Sequence, residues 1–379
     1  MLIYIVKPGD TIDDIARNYQ IPVDRLIWVN QLVYPYQLAI GQALLITFSE
    51  ITSGRNINGN GFAYPFISPW VLEQTLPFLS ELSIFSYGFT TEGEIIPPTL
   101  PTDWMIESAR IYECAPVLTL TPFGPDGQFN NQLIHAMLNN IESRNRLIEQ
   151  VYDTVQLEGY QGLNIDFEYI LAEDRDLFTE FVRDMTLAIH NLGYEVTVDL
   201  APKTSADQIG LLYEGKDYRA LGAVVDRAFV MTYEWGYTYG PAMAVAPIDK
   251  VRQVLDYAVT EIPRNKISMG IPNYGYNWTL PFVRGESRAI TIGNMEAVQI
   301  AIANQAEILY DKDAQTPYFH YVSEGLTHEV WFEDARSILA KYKLLREYEL
   351  YGFGCWQIMR LFRQMWVLAQ GELESVTEE

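Results

Sequence analysis

Eight short apolar segments separated by helical stretches constrain the fold of this 379-residue chain more than any other feature. Strands that alternate with helices favour a parallel sheet that helices cover on the outside. Eight such repeats are the number that closes a barrel, so we predict an α/β fold, a (β/α)8 TIM barrel, for residues 62–379. The predicted strands are 63–66, 83–87, 115–120, 162–169, 195–201, 228–233, 266–274 and 352–358.

Two other stretches interrupt this pattern. The connection between the seventh and eighth predicted strands is far longer than the usual loop of about 4–6 residues. It contains further apolar segments, so we expect a small α+β insertion at about 276–345, over the mouth of the barrel. Before the barrel, the polar, glycine-rich stretch 49–61 has the composition of a linker.

Residues 1–48 have a separate pattern of their own. A strand is predicted at 2–6, followed by a turn and a helix whose N-cap is Asp10 or Thr11. Apolar residues at helical spacing predict a second helix after Pro22, and 43–47 forms a second strand. The result is a βααβ module without a disulfide.

The spacing of particular residues in this module is more specific than its plan. The sequence has Tyr4, Val6, Gly9, Asp10, Thr11, Ile15, Ala16, Tyr19, Leu26, Asn30, Leu38, Gly41, Gln42 and Leu44 in order. In this the module resembles a LysM domain, a family that binds glycans containing N-acetylglucosamine, chiefly peptidoglycan and chitin. The resemblance implies that a glycan groove is lined by Gly9, Asp10, Thr11, Ile12 and Ile40. Gly9-Asp10-Thr11 also suits a plain turn and helix cap, and the two roles are compatible.

The fourth predicted strand carries polar residues where a barrel strand should be apolar. Alternate side chains of a strand share a face, so Asn164, Asp166 and Glu168 point to one side. Because a parallel barrel strand is buried on both faces, polar residues near its C-terminal end indicate an active site. The alternative is an edge strand with a solvated face, which the helical stretches on both sides disfavour.

Two buried carboxyls this close together favour acid chemistry on a sugar. Desolvation and mutual repulsion raise the pKa of Asp166, Glu168 or both. A carboxyl that is still protonated near neutral pH can protonate a glycosidic oxygen. Side chains two residues apart on one strand do not flank a glycosidic bond from opposite sides. We therefore expect substrate-assisted catalysis, in which the 2-acetamido oxygen of the sugar attacks its own anomeric carbon.

The segment 161–168 resembles the signature Asp-x-x-Asp-x-Asp-x-Glu of glycoside hydrolase family 18, the chitinase family, whose fold is a (β/α)8 barrel. Asp166 and Glu168 match in register, whereas Gln161 and Asn164 replace the first two aspartates. The resemblance implies that Glu168 is the general acid/base and that Asp166 orients the acetamido group and stabilises the oxazolinium intermediate. Asn164 cannot share a proton, but we expect its amide to donate to Asp166 and hold it ionised, with an altered pH profile.

Further segments match this family in the correct order. Met231, Tyr233 and Glu234 stand where the family has Met-x-Tyr-Asp, at the end of the sixth strand. By the resemblance Tyr233 hydrogen-bonds the acetamido carbonyl, and Glu234 replaces the usual aspartate. Trp356 on the eighth strand would form the floor beneath the −1 sugar, although an aromatic residue on a strand also suits a core.

Segments 63–66, 85–89, 201–204, 270–275 and 330–334 resemble one branch of the family, the cortex-lytic N-acetylglucosaminidases and germination proteins of bacterial spores. Within them we expect Tyr87 and Asn273 to bind substrate. The resemblance implies a retaining enzyme that cleaves N-acetylglucosamine linkages in spore-cortex peptidoglycan. The N-terminus has no predicted signal peptide. We accordingly expect synthesis in the cytoplasm and association with the spore coat or cortex.

Two other functions remain open on the sequence alone. A chitinase acting on chitin oligomers would use the same chemistry on another polymer. A non-catalytic glycan-binding spore coat protein would keep the fold as a lectin. The presence of Asp166, Glu168 and Tyr233 disfavours this last alternative.

The composition narrows the possible partners. The chain has 26 basic and 49 acidic residues, and its net charge of −23 disfavours nucleic acid and anionic membrane surfaces. No apolar run approaches the length of a membrane span. Aromatic residues make up 13% of the chain, which suits a cleft that stacks on sugar rings. Cys114 and Cys355 are expected to be buried thiols. We expect no metal, no cofactor and a monomer.

Overall fold

The computed structural model describes residues 1–49, 58–124, 127 and 129–373, and its N-terminal part is the predicted βααβ module. Its strands are antiparallel, with Leu2 opposite Ile46. Thr11 is the N-cap of the first helix, because its side chain accepts a hydrogen bond from the Asp14 amide. The elements are β1 (Leu2–Ile5), α1 (Ile12–Tyr19), α2 (Val23–Val29) and β2 (Ala43–Ile46).

Eight parallel strands form the predicted barrel. The ring is closed because its first strand pairs with both the second and the last. The strands are β3 (Gly59–Ala63), β4 (Glu81–Phe89), β6 (Ala115–Leu120), β7 (Gly162–Ile165), β8 (Glu195–Leu200), β9 (Arg227–Val230), β10 (Ile267–Pro272) and β16 (Gly352–Trp356). A short strand, β5 (Ile95–Ile96), pairs antiparallel with the end of β4.

Helices cover the outside of this ring and bury its outward apolar side chains. They are α3 (Pro69–Thr75), α4 (Asp103–Ile111), α5 (Asn131–Leu138), α6 (Ile141–Glu158), α7 (Arg175–His190), α8 (Tyr218–Val224), α9 (Ile248–Glu261), α11 (Ala335–Glu347) and α12 (Arg363–Leu373). In the part of the chain that the structure describes, none of the helices combines the length and the apolar character that a bilayer crossing needs. Cys114 and Cys355 are buried thiols, as predicted.

The first barrel strand begins earlier than predicted. It spans Gly59–Ala63, whereas the sequence pattern places a linker at 49–61 and a strand at 63–66. The glycines in this stretch predicted a linker, but in the structure Gly61 allows close packing within the barrel wall. A Cβ at Gly61 would lie 2.8 Å from Leu79 Cδ1, so a larger residue at this point of the barrel wall would displace the Leu79 side chain. Residues 50–57 of the predicted linker lie outside the described residues.

The insertion between β10 and α11 is an antiparallel sheet of five strands with one helix. The strand order is β12-β11-β15-β14-β13. Its last strand ends at Trp331, and α11, which lies within the predicted insertion range, belongs to the helical layer of the barrel. The elements are β11 (Gly275–Leu280), β12 (Ile290–Ile292), α10 (Asn294–Ala303), β13 (Leu309–Asp311), β14 (Thr316–Ser323) and β15 (Leu326–Trp331).

The N-terminal module packs directly against the barrel domain. The Gln364 side chain on α12 donates to Asn30 Oδ1 at 2.7 Å and to the Ala43 carbonyl at 3.0 Å. The Arg363 guanidinium lies 4.2 Å from the centre of the Trp28 ring. Apolar side chains of α2 and β2 join the same buried cluster as the barrel core. The module is therefore held in a fixed position beside the barrel.

Candidate active site

A cleft of about 460 Å³ opens at the C-terminal ends of the barrel strands. Its lining residues comprise an acidic set and an aromatic and apolar set. The acidic set is Asp166, Glu168, Asp199 and Glu234; the other lining residues are Phe62, Tyr64, Phe85, Phe129, Tyr169, Leu212, Phe229, Met231, Tyr233, Tyr237 and Trp356.

The segment after β7 delivers two of these carboxyls. β7 ends at Ile165, but the Asp166 amide still donates to the Leu120 carbonyl at 2.9 Å, so strand-like alternation continues by one residue. Phe167 points the other way, is fully buried, and stacks on Phe89 with ring centres 5.2 Å apart. This apolar anchor turns the side chains of Asp166 and Glu168 towards the cleft.

Burial dominates the ionisation of both carboxyls. It raises the pKa of Asp166 well above the usual range, and the charges of Asp199 and Glu168 raise it further. It also raises the pKa of Glu168; the Lys216 ammonium opposes this shift, and the Glu234 carboxylate adds to it. Glu168 therefore holds its proton to a higher pH than an ordinary glutamate, as a general acid requires.

Asn164 does not contact Asp166 in the way that the sequence predicts. The Asn164 side chain is fully buried, and its Nδ2 donates to Asp199 Oδ2 at 2.9 Å. The expectation that this amide donates to Asp166 is therefore wrong. The amide turns towards the neighbouring strand β8, where Asp199 offers an acceptor that one strand alone does not reveal.

Asp199 and Lys216 are site residues that the sequence reasoning missed. Asp199 is 2% exposed and lines the cleft from the end of β8. Lys216 is 1% exposed, and its Nζ donates to the Asp199 carbonyl oxygen at 2.6 Å. The signal for Asp199 was present in the sequence, since it is an acid near the end of an apolar strand. Lys216 lies in a loop before α8, and no periodic pattern identifies it.

The end of β9 brings three predicted residues to the cleft: Met231, Tyr233 and Glu234. Tyr233 is 8% exposed, and burial together with the surrounding carboxylates raises its pKa well above the usual range, so it stays a hydroxyl donor. Glu234 Oε1 accepts hydrogen bonds from the hydroxyls of Tyr274, at 2.5 Å, and Tyr276, at 3.0 Å. These bonds lower the pKa of Glu234, although burial raises it by more.

Trp356, the last residue of β16, lies in the apolar wall of the cleft. Its ring centre is 5.0 Å from that of Phe85, 5.8 Å from Phe62 and 6.1 Å from Tyr64. These contacts fix the indole in one orientation beside the carboxyls. Its place in the cleft is compatible with the predicted floor beneath a sugar, which remains a prediction.

Two predicted substrate-binding residues lie away from the cleft. The register of β4 shifts between Phe85 and Tyr87, so Phe85 faces the cleft while Tyr87 does not. The Tyr87 hydroxyl instead contacts Glu158 and lies 3.2 Å from the Tyr160 hydroxyl. The Asn273 amide donates to the carbonyls of Gln357, at 3.0 Å, and Arg360, at 2.8 Å, and so supports the loop after β16.

The predicted groove of the N-terminal module is a separate cavity of about 800 Å³. Asp10, Thr11, Ile12 and Ile40 line it, and Gly9 forms the adjacent turn with φ +85°. The opposite wall belongs to the end of α10 and the residues after it, including Ile302, Gln305 and Glu307. The groove is therefore shared between the module and the insertion of the barrel domain, which the sequence does not suggest.

Comparison with known proteins agrees with both parts of the chain. The model of glycosyl hydrolases family 18 matches residues 124–360, and the LysM domain model matches residues 4–47. The first match covers more than half of the chain. The chain belongs to glycoside hydrolase family 18 and carries an N-terminal LysM domain, so it is a glycoside hydrolase.

Individual relatives cover nearly its whole length. The cortical fragment-lytic enzyme of Bacillus subtilis (strain 168) is 37% identical over 429 residues, which include 99% of each chain. The crystal structure of the spore cortex-lytic enzyme SleL of Bacillus megaterium QM B1551 covers 98% of this chain and 97% of its own, with a TM-score of 0.90 and 31% identity. That of Bacillus cereus SleL covers 97% and 86%, with a TM-score of 0.80 and 34% identity.

Proposed function

We propose that this protein is a retaining N-acetylglucosaminidase that cleaves spore-cortex peptidoglycan by substrate-assisted catalysis. One observation carries the mechanism: Asp166 and Glu168 enter one cleft from the same strand end, beside Tyr233 and Trp356. Two carboxyls from one strand end approach a sugar from the same side, which favours a nucleophile supplied by the substrate itself.

In the first step the 2-acetamido oxygen of the −1 sugar forms a bond to the anomeric carbon as the glycosidic bond breaks. Glu168 gives its proton to the leaving oxygen, which keeps the electron pair of the broken bond. Tyr233 donates to the acetamido carbonyl and holds it in line. Asp166 accepts from the acetamido N–H and stabilises the positive charge of the oxazolinium.

In the second step Glu168, now a carboxylate, takes a proton from water. The resulting hydroxide bonds to the anomeric carbon, and the bond between that carbon and the acetamido oxygen breaks. Because the anomeric carbon is inverted twice, the product keeps the configuration of the substrate. Glu168 ends the cycle protonated and the acetamido group is restored.

The polymer is inferred from the relatives. A relative 37% identical over nearly all of this chain has the name cortical fragment-lytic enzyme, and the two crystal structures above are of spore cortex-lytic enzymes. LysM and family 18 domains together indicate a glycan that contains N-acetylglucosamine, such as peptidoglycan. We infer that the protein acts in the spore, where the LysM groove raises the local concentration of the chain being cut.

Mass spectrometry of products from purified spore-cortex fragments, with chitin oligosaccharides in parallel, tests this function. Muropeptides ending in reducing N-acetylglucosamine are expected, and NMR of the first-formed anomer should show retained configuration. Preferential cutting of chitin would favour a chitinase instead. Binding to either polymer without any product would favour a lectin-like coat protein.

The LysM groove can be tested separately from the cleft. Ile40 is 41% exposed within the groove, and its carbonyl accepts a hydrogen bond from the Ile308 amide of the barrel domain at 2.9 Å, a contact that does not involve its side chain. We expect Ile40→Ala to weaken sedimentation with insoluble peptidoglycan but to leave kcat on short soluble substrates unchanged. Leu157→Ala, at an 83% exposed position on α6, is the matched control. Unchanged polymer binding by Ile40→Ala would place the glycan elsewhere.

A further inference from the structure

The family signature leaves one chemical role without a residue at its usual place. Asn164 stands where the pattern has an aspartate, and an amide cannot hold or release the proton of a carboxyl pair. Yet Asp166 is buried, 5% exposed, and needs a neighbour that keeps it an anion while a substrate N–H donates to it. The candidate for that neighbour lies on the next strand, β8.

Strand register puts Asp199 beside Asp166. Ile165 on β7 is the partner of Val198 on β8, so the residue after each stands side by side on strands about 4.8 Å apart. Both side chains reach the same cleft. Asn164 Nδ2 binds Asp199 Oδ2 at 2.9 Å and fixes the orientation of that carboxyl.

Two oxygens of this pair have no hydrogen-bond partner among the described residues. They are Asp166 Oδ1 and Asp199 Oδ1, and both are buried. Two adjacent buried carboxyls do not both ionise without a large electrostatic cost, and a single proton held between them relieves it. Asp199 Oδ2 is already occupied by Asn164, so Oδ1 is the oxygen left to carry that proton.

The other charges around the pair do not remove the need for a proton. The only nearby cation in the described part of the cluster, Lys216, uses its Nζ to bind the Asp199 main chain at 2.6 Å, not a carboxylate. The titratable groups that act on the pair from the surrounding elements are Glu168, Lys216, Tyr64 and Tyr233.

We propose that Asp199 is the positioning residue that holds a proton for Asp166, in the role that the asparagine at 164 cannot fill. The inference rests on the proposed substrate-assisted mechanism. Asp199 keeps its proton through the cycle, so it transfers nothing to the substrate. Asp166 is thereby the anion that accepts the acetamido N–H and faces the oxazolinium charge.

Burial raises the pKa of both carboxyls, which agrees with one proton held by the pair. The hydrogen bond from Asn164 to Asp199 Oδ2 leaves Asp199 Oδ1 to carry that proton. Burial raises the pKa of Asp199 to about 7, even though the Asn164 hydrogen bond and the Lys216 charge both lower it. A carboxyl with this pKa still carries a proton for much of the time near neutral pH. An ordinary aspartate, with a pKa of about 3.9, would be ionised there.

A swap of the two side chains tests the proposal. Asp199→Asn should lower kcat by roughly 10- to 100-fold, the value of one charge-assisted hydrogen bond in the transition state, with KM nearly unchanged. The double variant Asn164→Asp/Asp199→Asn exchanges acid and amide across the same hydrogen bond and should recover most of the lost kcat. A merely structural role for Asp199 predicts no such recovery.

Three results separate the outcomes. If the wild-type protein hydrolyses the glycan and Glu168→Gln does not, the proposed function holds, regardless of the result of the side-chain swap. Wild-type kcat in Asp199→Asn would overturn the role of Asp199. A double variant that is folded by thermal unfolding but no faster than Asp199→Asn would overturn it too. If Asp199→Asn does not fold, the kcat of the double variant decides alone. A value near that of the wild type supports the role of Asp199, and a value far below it overturns that role.

Discussion

The two ends of the barrel carry buried charges in opposite arrangements. At the N-terminal end of the barrel strands, called the closed end below, Arg227 contacts Glu81 and lies 2.7 Å from Glu195. These three residues are the first of β9, β4 and β8. The Tyr351 hydroxyl accepts a further bond from Arg227 at 3.0 Å. Each of the charges of Arg227, Glu81 and Glu195 has an opposite partner within hydrogen-bonding distance.

At the mouth the carboxyls outnumber the cations. Asp166, Glu168, Asp199 and Glu234 share one cleft, and none of the ion pairs found among the described residues includes any of them. Pairing at the closed end stabilises the fold, whereas its absence at the mouth raises pKa values and leaves protons available for chemistry. The comparison predicts that changes at the mouth alter activity and that changes at the closed end alter stability.

The largest expected effect is at the mouth. Glu168→Gln keeps the shape of the side chain but removes the transferable proton, so kcat should fall roughly 100- to 10,000-fold. Thermal unfolding and glycan binding should stay close to wild type. Glu149→Gln makes the same chemical change at an exposed position of α6 and should have no effect. Hydrolysis retained by Glu168→Gln would refute the acid assignment.

The next largest effect is at the closed end. Arg227→Met removes the shared cation and leaves the buried Glu81 carboxyl without an ion-pair partner. This should lower the free energy of unfolding by about 3–5 kcal/mol and leave kcat unchanged. Chemical denaturation measures this cost. Burial raises the pKa of Glu81, and Arg227 opposes that shift. Without Arg227 the folded state resists ionisation further, so the deficit should be smaller in acid and grow as pH rises.

Arg183→Met on the exposed side of α7 is the matched control for this change and should stay within about 0.5 kcal/mol of wild type. A large loss of kcat in folded Arg227→Met would break the comparison, because it would couple the closed end to the chemistry.

A smaller effect is expected on the pH profile. The Glu234 carboxylate raises the pKa of Glu168, so Glu234→Gln should lower it. Since the acid must be protonated to act, the alkaline limb of kcat should move to lower pH, by up to about one unit. The pH dependence of kcat for the variant and the wild type measures this shift. A limb that moves to higher pH would contradict the electrostatic argument.

The smallest effect is at the solvated edge of the Arg227 cluster. The Glu195 side chain is 60% exposed, whereas that of Glu81 is 15% exposed. Water screens the pair of Arg227 and Glu195, so Glu195→Gln should lower the free energy of unfolding by no more than about 1 kcal/mol, as measured by chemical denaturation. A loss as large as that of Arg227→Met would show that the three charges act as one unit rather than as a buried pair with an exposed neighbour.

Local patterns predicted most of the architecture and the centre of the site. Eight apolar segments gave the barrel, and residue spacing in 1–48 gave the βααβ module, because both are expressed in side-chain periodicity along one stretch of chain. The same alternation placed Asp166 and Glu168 on one face. The resemblance, not the alternation, suggested Tyr87, and the strand register shifts at that point, which turns its side chain away from the cleft.

The sequence by itself therefore determined most of the elements and the shared inward face of Asp166 and Glu168. Only the tertiary structure decided which inward residues meet. Asn164 binds Asp199 rather than Asp166 because two strands 30 residues apart pair in one register. Lys216 reaches the main chain of Asp199 from a loop that no periodicity describes, and α10, which is distant along the chain from the module, completes the LysM groove. Such contacts depend on packing between segments that are distant along the chain, and the local pattern of one segment contains no information about that packing.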